Sequence, residues 1–250
     1  MMKTAIILAG GMGSRMGSLT NSKPKCLLKI GGFTILSHLY TQLRIAKINK
    51  VIICTGYLNQ KINSFCETRI YKESDLIFKK LKKNFLAYPI IKLSKHNINA
   101  STSQRLIKAR KFFESENKFL LLYGDTFLKP NLKNLNKNFK SDKFSLILTI
   151  SNPPSAFGVV KTKLNYVVSF EEKQILKQIW VNSGWTMIKS EFIDRLENNR
   201  INYENYMFSK SKIKKSIGFT KNRGFYLPVD RAEDLKKASY IFEKNISAWF

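Results

Sequence analysis

The stretch Thr4-Ala5-Ile6-Ile7-Leu8-Ala9-Gly10-Gly11-Met12-Gly13-Ser14-Arg15 decides the fold. Thr4–Ala9 is β-branched and apolar without polar alternation and stops at a glycine cluster, which predicts a strand buried on both faces. Working outward, Thr34–Lys47 follows after a loop, and Ile35, Leu36, Leu39, Tyr40, Leu43 and Ala46 fall on one helical face. Val51–Thr55 is a second unbroken apolar strand, ended by Gly56. Strand, helix and strand of this texture predict a right-handed βαβ unit in a parallel sheet covered by helices.

The pattern recurs downstream. Ser101–Ser103 offers N-cap residues for a helix striped by Leu106, Ala109, Phe112 and Phe113. Phe119–Tyr123 is a strand ending at Gly124-Asp125, and Phe144–Ile150 is another. After Pro153-Pro154 the texture changes to short strands at Val159–Lys161, Tyr166–Phe170 and Ser183–Ile188, then a helix near Glu191–Leu196. Leu235, Ala238, Ile241 and Phe242 mark a last amphipathic helix. The expected fold class is α/β: a Rossmann-like, mostly parallel central sheet flanked by helices, with added short strands in the second half. No repeat or Pro- or Ser-rich linker interrupts the chain, so residues 1–250 read as one domain with halves at 1–150 and 151–250. Glu67–Lys95 is basic and irregular, and no element is assigned to it.

Composition bounds the function. With 250 residues and 44% of them hydrophobic, the chain can build a core and is not disordered as a whole. Cys26, Cys54 and Cys66 are too few and too widely spaced for a disulfide framework or a paired metal site. No apolar run approaches the roughly 18 residues of a membrane span. The start imitates a signal peptide, but its apolar run stops at Gly10-Gly11, so a soluble cytoplasmic protein is expected, with no membrane partner. Forty-four Lys and Arg against 17 Asp and Glu give +27, and no acid occurs before Glu67. That surplus suits a polyanionic partner or reflects compositional drift across solvated positions. Nucleic acid is not the expected partner, because no aromatic-interleaved basic motif or recognition helix is present.

The glycine loop carries the chemistry. Glycines after a strand let backbone N–H groups meet phosphate oxygens with no Cβ in the way. A dinucleotide fingerprint fails, since Gly17 follows Gly13 by four residues instead of three and no acid lies about 20 residues on. A P-loop fails too, because Ser18 follows Gly17 where lysine is required. Arg15, Lys23 and Lys25 in the same connection make it more than a tight turn, and three cations beside exposed amides suit a triphosphate.

Gly10-Gly11-Met12-Gly13-Ser14-Arg15 with Lys23-Pro24-Lys25 resembles the G-G-x-G-[ST]-R and P-K signature of sugar-1-phosphate nucleotidyltransferases. The likeness runs along nearly the whole chain. Tyr123-Gly124-Asp125 resembles the Y-G-D of glucose-1-phosphate cytidylyltransferases, and Pro153-Pro154 with Phe157-Gly158 resembles their P-P-x-x-F-G. Ser169-Phe170-Glu171-Glu172-Lys173 matches S-F-x-E-K, and Gly224–Asp230 resembles G-F-W-x-P-M-D. Two segments depart: Asn182-Ser183-Gly184 stands where the family has N-G-G, and Thr102-Ser103-Gln104-Arg105 where the cytidylyl branch has T-G-G-R.

The resemblance implies attack of a sugar 1-phosphate on the α-phosphorus of an NTP, with CTP and glucose 1-phosphate as the first pair and a guanylyl or thymidylyl transfer as the alternative. A catalytically inactive regulatory relative is the reading from another class, and retention of Arg15, Lys25, Asp125 and Asp230 argues against it. Leu8, Ala9, Gly10, Gly11, Gly13, Ser14, Thr102, Ser103 and Gly124 would line the nucleotide site. Arg15 would hold the β- and γ-phosphates, and Lys25 would neutralise charge growing around the α-phosphorus. Tyr123, Gly158, Glu172, Lys173 and Asn182 would hold the sugar phosphate. Asp125 and Asp230 supply hard oxygen donors for Mg²⁺. Asp230 also reads as a helix cap, with Glu233 three residues on. Lys23 reads as a solvated cation, Cys26 as a core residue, and His38 and His96 as histidines without partners at ligand spacing. Relatives are often homo-oligomers, and no patch of this sequence is assigned to an interface.

Overall fold

The computed structural model describes residues 3–129, 144–155, 157–172, 174–199, 202–205 and 216–250. Among them the strands are β1 (Thr4–Leu8), β2 (Lys29–Ile30), β3 (Phe33–Thr34), β4 (Lys50–Thr55), β5 (Ile90–Lys95), β6 (Lys118–Tyr123) and β7 (Thr126–Leu128). They continue with β8 (Leu146–Ser151), β9 (Val159–Lys163), β10 (Tyr166–Glu171), β11 (Val181–Lys189), β12 (Ile217–Asn222) and β13 (Tyr226–Pro228). The longer helices are α1 (Ile35–Ile45), α2 (Asn59–Thr68), α3 (Ile70–Lys80), α4 (Thr102–Ala109), α5 (Glu191–Asn199) and α6 (Ala232–Lys244).

Seven strands form the central sheet in the order β12-β8-β11-β6-β1-β4-β5. It is mostly parallel: β11 alone runs antiparallel, to both β6 and β8. The period of two along each strand explains why the sequence shows no polar alternation. Ala5, Ile7, Val51, Ile53, Leu120 and Leu122 enter one core with α1 and α6. Ile6, Ile52, Cys54, Phe119 and Leu121 enter the other, under α4 and α5. On α1, Ile35, Leu36, Leu39 and Leu43 are fully buried, each contributing about 1.5–3 kcal/mol. Thr34 starts that helix, its hydroxyl accepting from the Ser37 N–H at 3.2 Å. Ser101 caps α4 in a capping box with Gln104.

Two expectations need correction. Glu67–Lys95 is not irregular: it contains the last residues of α2, the whole of α3 and the edge strand β5. Lys and Glu fill the exposed faces there and hide a sparse buried stripe of Ile62, Phe65, Cys66, Ile70, Ile77 and Phe78. The strand at Ser183–Ile188 is also no short addition. It is part of nine-residue β11, inside the central sheet between β6 and β8. The short pair is β9–β10, an antiparallel hairpin outside that sheet. No helix among the described residues is long and apolar enough to cross a membrane.

Strand order places the site. β1 pairs with β4 on one side and β6 on the other, with Leu8 level with both Cys54 and Tyr123. The chain proceeds outward from β1 to β4 and β5, then returns across β1 to β6. A doubly wound sheet opens a crevice at that reversal, at the carboxyl ends of the strands. The glycine loop leaves β1 there, and Gly124-Asp125 leaves β6 beside it.

Candidate active site

The loop after β1 bends through Gly13 in the left-handed region, φ 68°, where a Cβ would also lie 2.9 Å from Cβ of Lys25. Glycine therefore lets the loop turn and lets Lys25 close on it. The backbone N–H groups from Gly11 to Arg15 meet no acceptor among the described residues. Lys25 follows Pro24 and opens a short 3-10 turn, Lys25–Leu27, with the Leu28 N–H donating to the Lys25 carbonyl at 3.0 Å.

Asp125 and Asp230 are 105 positions apart in sequence and are brought together by a two-stranded ladder. β13 pairs antiparallel with β7, Pro228 opposite Thr126, and the Val229 N–H donates to the Asp125 carbonyl at 2.9 Å. Both carboxylates then meet one ammonium: Lys25 Nζ donates to Asp125 Oδ2 at 2.7 Å and to Asp230 Oδ1 at 3.1 Å. Arg15 reaches the other Asp230 oxygen at 3.2 Å with 73% of its side chain still exposed. Two cations and two carboxylates thus alternate across the crevice, and Arg15 is placed to change partner when an anion enters.

The helix-cap reading of Asp230 is overturned. The α6 start is held by Asp234, whose Oδ2 accepts from the N–H groups of Asp230 at 2.9 Å and Arg231 at 2.8 Å. Neither Asp230 nor Glu233 supplies that acceptor, so the Asp230 carboxylate is left for the site.

The network lines a cavity of about 290 Å³, completed by Leu8, Ala9, Gly11, Gly13, Ser14, Cys26 and Gly124. A second cleft of about 360 Å³ adjoins it, sharing Leu8, Gly11, Gly124 and Asp125 and adding Gly10, Thr102 and Tyr123. Burial pushes the Cys26 thiol up, so this cysteine is held as a neutral core group, as its sequence context suggests. Ser103 is buried on α4 and lines neither cleft. Gly158 starts the β9–β10 hairpin, Glu172 is exposed just after it, and neither lines the two clefts. Asn182 is exposed at the β11 bulge, its Oδ1 accepting from the Gly184 N–H at 3.0 Å. Lys173 lies outside the described residues.

Two polar residues of the cleft were given no site role from the sequence, although Arg105 closes the segment set against T-G-G-R. Arg105 is 6% exposed and has no carboxylate partner among the described residues. It donates instead to five backbone carbonyls: Ala100 at 3.1, Thr55 at 3.1, Ile98 at 3.2, and Gly10 and Asn97 at 3.4 Å. Burial lowers its pKa. One guanidinium therefore joins the glycine loop, the end of β4 and the 97–100 loop, and a Cβ at Gly10 would lie 1.8 Å from its Nη1. Glu204 is the second: its Oε1 accepts from Tyr123 Oη at 3.0 Å and Thr102 Oγ1 at 3.2 Å. Burial, and then Glu204, push the Tyr123 phenol up, so it stays a donor. Glycine and cation spacing had no way to expose either residue. The departure at Asn182-Ser183-Gly184 has a plain reason: Ser183 is fully buried and donates to the Thr149 carbonyl at 2.7 Å, inside the sheet.

A glycine-rich loop and a carboxylate pair at the switch point of a doubly wound sheet define a phosphate-handling α/β protein. The nucleotidyl transferase family profile matches residues 4–226, and the chain belongs to that family. Glucose-1-phosphate cytidylyltransferase of Salmonella typhimurium is 26% identical over 252 residues, spanning 98% of each chain. D-glycero-alpha-D-manno-heptose 1-phosphate guanylyltransferase of Campylobacter jejuni is 28% identical over 81% of this chain and 84% of its own length. The crystal structure of HddC from Yersinia pseudotuberculosis shares the fold, with a TM-score of 0.70 at 20% identity over 96% of this chain and all of that one.

Proposed function

We propose that the protein transfers a nucleotidyl group from an NTP, first CTP, to a sugar 1-phosphate, first glucose 1-phosphate, releasing pyrophosphate. The observation that carries this reading is the alternation of Arg15, Asp230, Lys25 and Asp125 along a crevice faced by unpaired amides. Full-length similarity to the Salmonella cytidylyltransferase supports the choice of substrates, as do the Y-G-D and P-V-D segments at Tyr123–Asp125 and Pro228–Asp230.

In this reaction an oxygen of the sugar phosphate forms a bond to the α-phosphorus. The bond from that phosphorus to the bridging oxygen of the β-phosphate breaks opposite to it, and pyrophosphate takes the electron pair. Positioning and charge neutralisation supply the acceleration. The amides from Gly11 to Arg15 bind the triphosphate, and Arg15 leaves Asp230 to hold the departing β- and γ-phosphates. Lys25 stands between the two carboxylates and turns its ammonium to the charge growing at the α-phosphorus. Thr102, which lines the second cleft, belongs to the nucleotide side. Ser103, Gly158, Glu172 and Asn182 line neither cleft, so the family motif alone would carry Ser103 to the nucleotide and Gly158, Glu172, Lys173 and Asn182 to the sugar phosphate. The first half of the chain is thereby assigned to the nucleotide and the second to the sugar.

Asp125 and Asp230 suit a magnesium ion. Both carboxylates bond the same Lys25 nitrogen, so a single small cation can reach both. No cluster of three or more His, Cys, Asp or Glu able to hold a metal occurs among the described residues, and magnesium at phosphoryl sites uses one or two carboxylates plus substrate oxygens and waters. When bound, the ion supplies charge neutralisation on the triphosphate.

The test is pyrophosphate release with Mg²⁺, glucose 1-phosphate and CTP, UTP, dTTP, GTP or ATP in turn. Release with CTP alone is the expected result. Release with GTP and a heptose 1-phosphate would transfer the chain to the guanylyl branch, and binding of nucleotide without release under any pairing would refute the enzymatic reading.

A further inference from the structure

We propose that a second anion site lies behind the glycine loop, in a cavity of about 390 Å³ between the 23–29 segment and α2, and that it takes a phosphorylated, hydroxyl-bearing small molecule, either a sugar phosphate or a nucleotide. Lys23, Lys29, Lys61 and Arg69 line it, against one carboxylate, Glu73. Lys61 donates to the Ser22 carbonyl. The side chains of Lys23, Lys29 and Arg69 have no hydrogen-bonded or ion-paired partner among the described residues. Glu73 offsets one of the four positive charges: it is 8% exposed, and its Oε2 accepts from the N–H of Thr34 at 2.9 Å and its hydroxyl at 3.0 Å, with no ion pair to any of the four cations. Three unmatched cations around one concavity create the field a phosphate group needs.

The remaining lining gives the ligand its other features. Leu27 and Phe65, both buried, offer an apolar floor. Gln60, Ser64 and Thr68 recur at intervals of four on α2 and turn a polar edge toward the same space. Cations, a small apolar floor and hydroxyl-bonding side chains together fit a phosphate ester better than inorganic phosphate. The volume lies within the range of small-molecule sites.

The cavity is separate from the catalytic crevice and shares a wall with it. Along one short segment Lys23, Leu27 and Lys29 face the rear cavity, while Lys25 and Cys26 face the loop pocket. A ligand held at the rear grips the backbone that sets Lys25, which gives occupancy a direct route to the catalytic lysine.

The experiment is calorimetry with inorganic pyrophosphate, a probe that depends on neither the base nor the sugar assigned above. Wild-type protein is expected to bind two pyrophosphates per chain. Lys29→Gln/Arg69→Gln should weaken one of these events about tenfold or more and leave the other unchanged. Lys163→Gln/Lys177→Gln removes the same charge from exposed positions elsewhere and should change neither. A single binding event that Lys29→Gln/Arg69→Gln leaves unchanged, or equal weakening by both double variants, would overturn the site, whereas a single event that this variant alone weakens would keep the site and count against the loop pocket. In Arg15→Gln, where the loop pocket is weakened, displacement of the rear pyrophosphate by ribose 5-phosphate assigns a sugar phosphate, and displacement by CMP alone assigns a nucleotide. Displacement by neither overturns the ligand class. Failure of turnover with every NTP would leave these binding results intact, so the two readings fall separately.

Discussion

Acid should destabilise this protein through His38, by an amount the structure allows us to work out. The ring is fully buried among Phe33, Phe127, Phe242 and Trp249, with the Phe242 centroid 4.7 Å away. Its Nε2 lies 2.9 Å from the Ile30 carbonyl, which fixes that nitrogen as the donor, and Nδ1 has no partner. Protonation would place a charged N–H where nothing accepts it. Burial accordingly lowers the pKa from 6.5 to about 4, partly offset by the Ile30 bond. The folded state resists the proton that the unfolded state accepts, so this stabilisation is complete above pH 6.5 and lost as pH falls toward 4. Between pH 8 and pH 5 the loss is about 2 kcal/mol, and full titration past both values approaches about 3 kcal/mol. The assay is urea unfolding at pH 8, 7, 6 and 5 on wild type and on His38→Gln, whose amide nitrogen can still donate to Ile30. His96 is lowered to about 4 in the same direction, first by burial and then by Arg105 and Lys108, so the variant keeps part of the slope. The difference between the two slopes isolates His38. Parallel curves, separated by a constant offset, would refute the argument that a buried, unpaired Nδ1 controls the acid limb.

Three further outcomes are expected from the site. Lys25→Ala should lower kcat for pyrophosphate release by about 10²–10³, with the circular dichroism spectrum unchanged; near-normal turnover would remove Lys25 from the chemistry. Asp125→Asn and Asp230→Asn should each raise the Mg²⁺ concentration for half-maximal rate, and a Mg²⁺ titration in which only the Asp125 variant shifts would leave Asp230 as an anchor for Arg15. Asp234→Ala removes the acceptor for two N–H groups at the α6 start and should cost about 1 kcal/mol in urea unfolding.

The sequence was most legible where burial and backbone geometry dictate residue type. An apolar β1 ending in glycines, an apolar β4 and the stripe on α1 each have one physical solution, and all three stand where the pattern puts them. Arg15, Lys25, Asp125 and Asp230 could be picked out because their motifs are local, and the structure brings all four into one network. What stayed hidden was set by long-range pairing. The place of β11 inside the sheet depends on β6 and β8, which its own residues do not encode. α2 and α3 were masked by lysines on their outer faces. Arg105 stands in the sequence only as the arginine of a segment that departs from T-G-G-R, and its role shows only once the fold surrounds it with carbonyls.

The contrast between the buried arginine and the exposed one shows how, under the proposed function, a strongly basic chain could keep a selective phosphate site. Arg105 spends its donors on the backbone and joins the Gly10 carbonyl at the start of the loop to the end of β4 and the 97–100 loop. Arg15 and Lys25 instead borrow Asp230 and Asp125 as partners, which leaves the crevice locally neutral although the chain carries +27. A stray anion gains little from a cation already paired at 2.7 Å, whereas the phosphates of a triphosphate would take Arg15 and Lys25 from the carboxylates, and Asp125 and Asp230 would then be free to hold a divalent cation, which would supply the compensating charge. Under the proposed function, selectivity for a metal-bound triphosphate would follow from the pairing, and replacing either aspartate should widen the range of anions the loop accepts as well as weaken the metal.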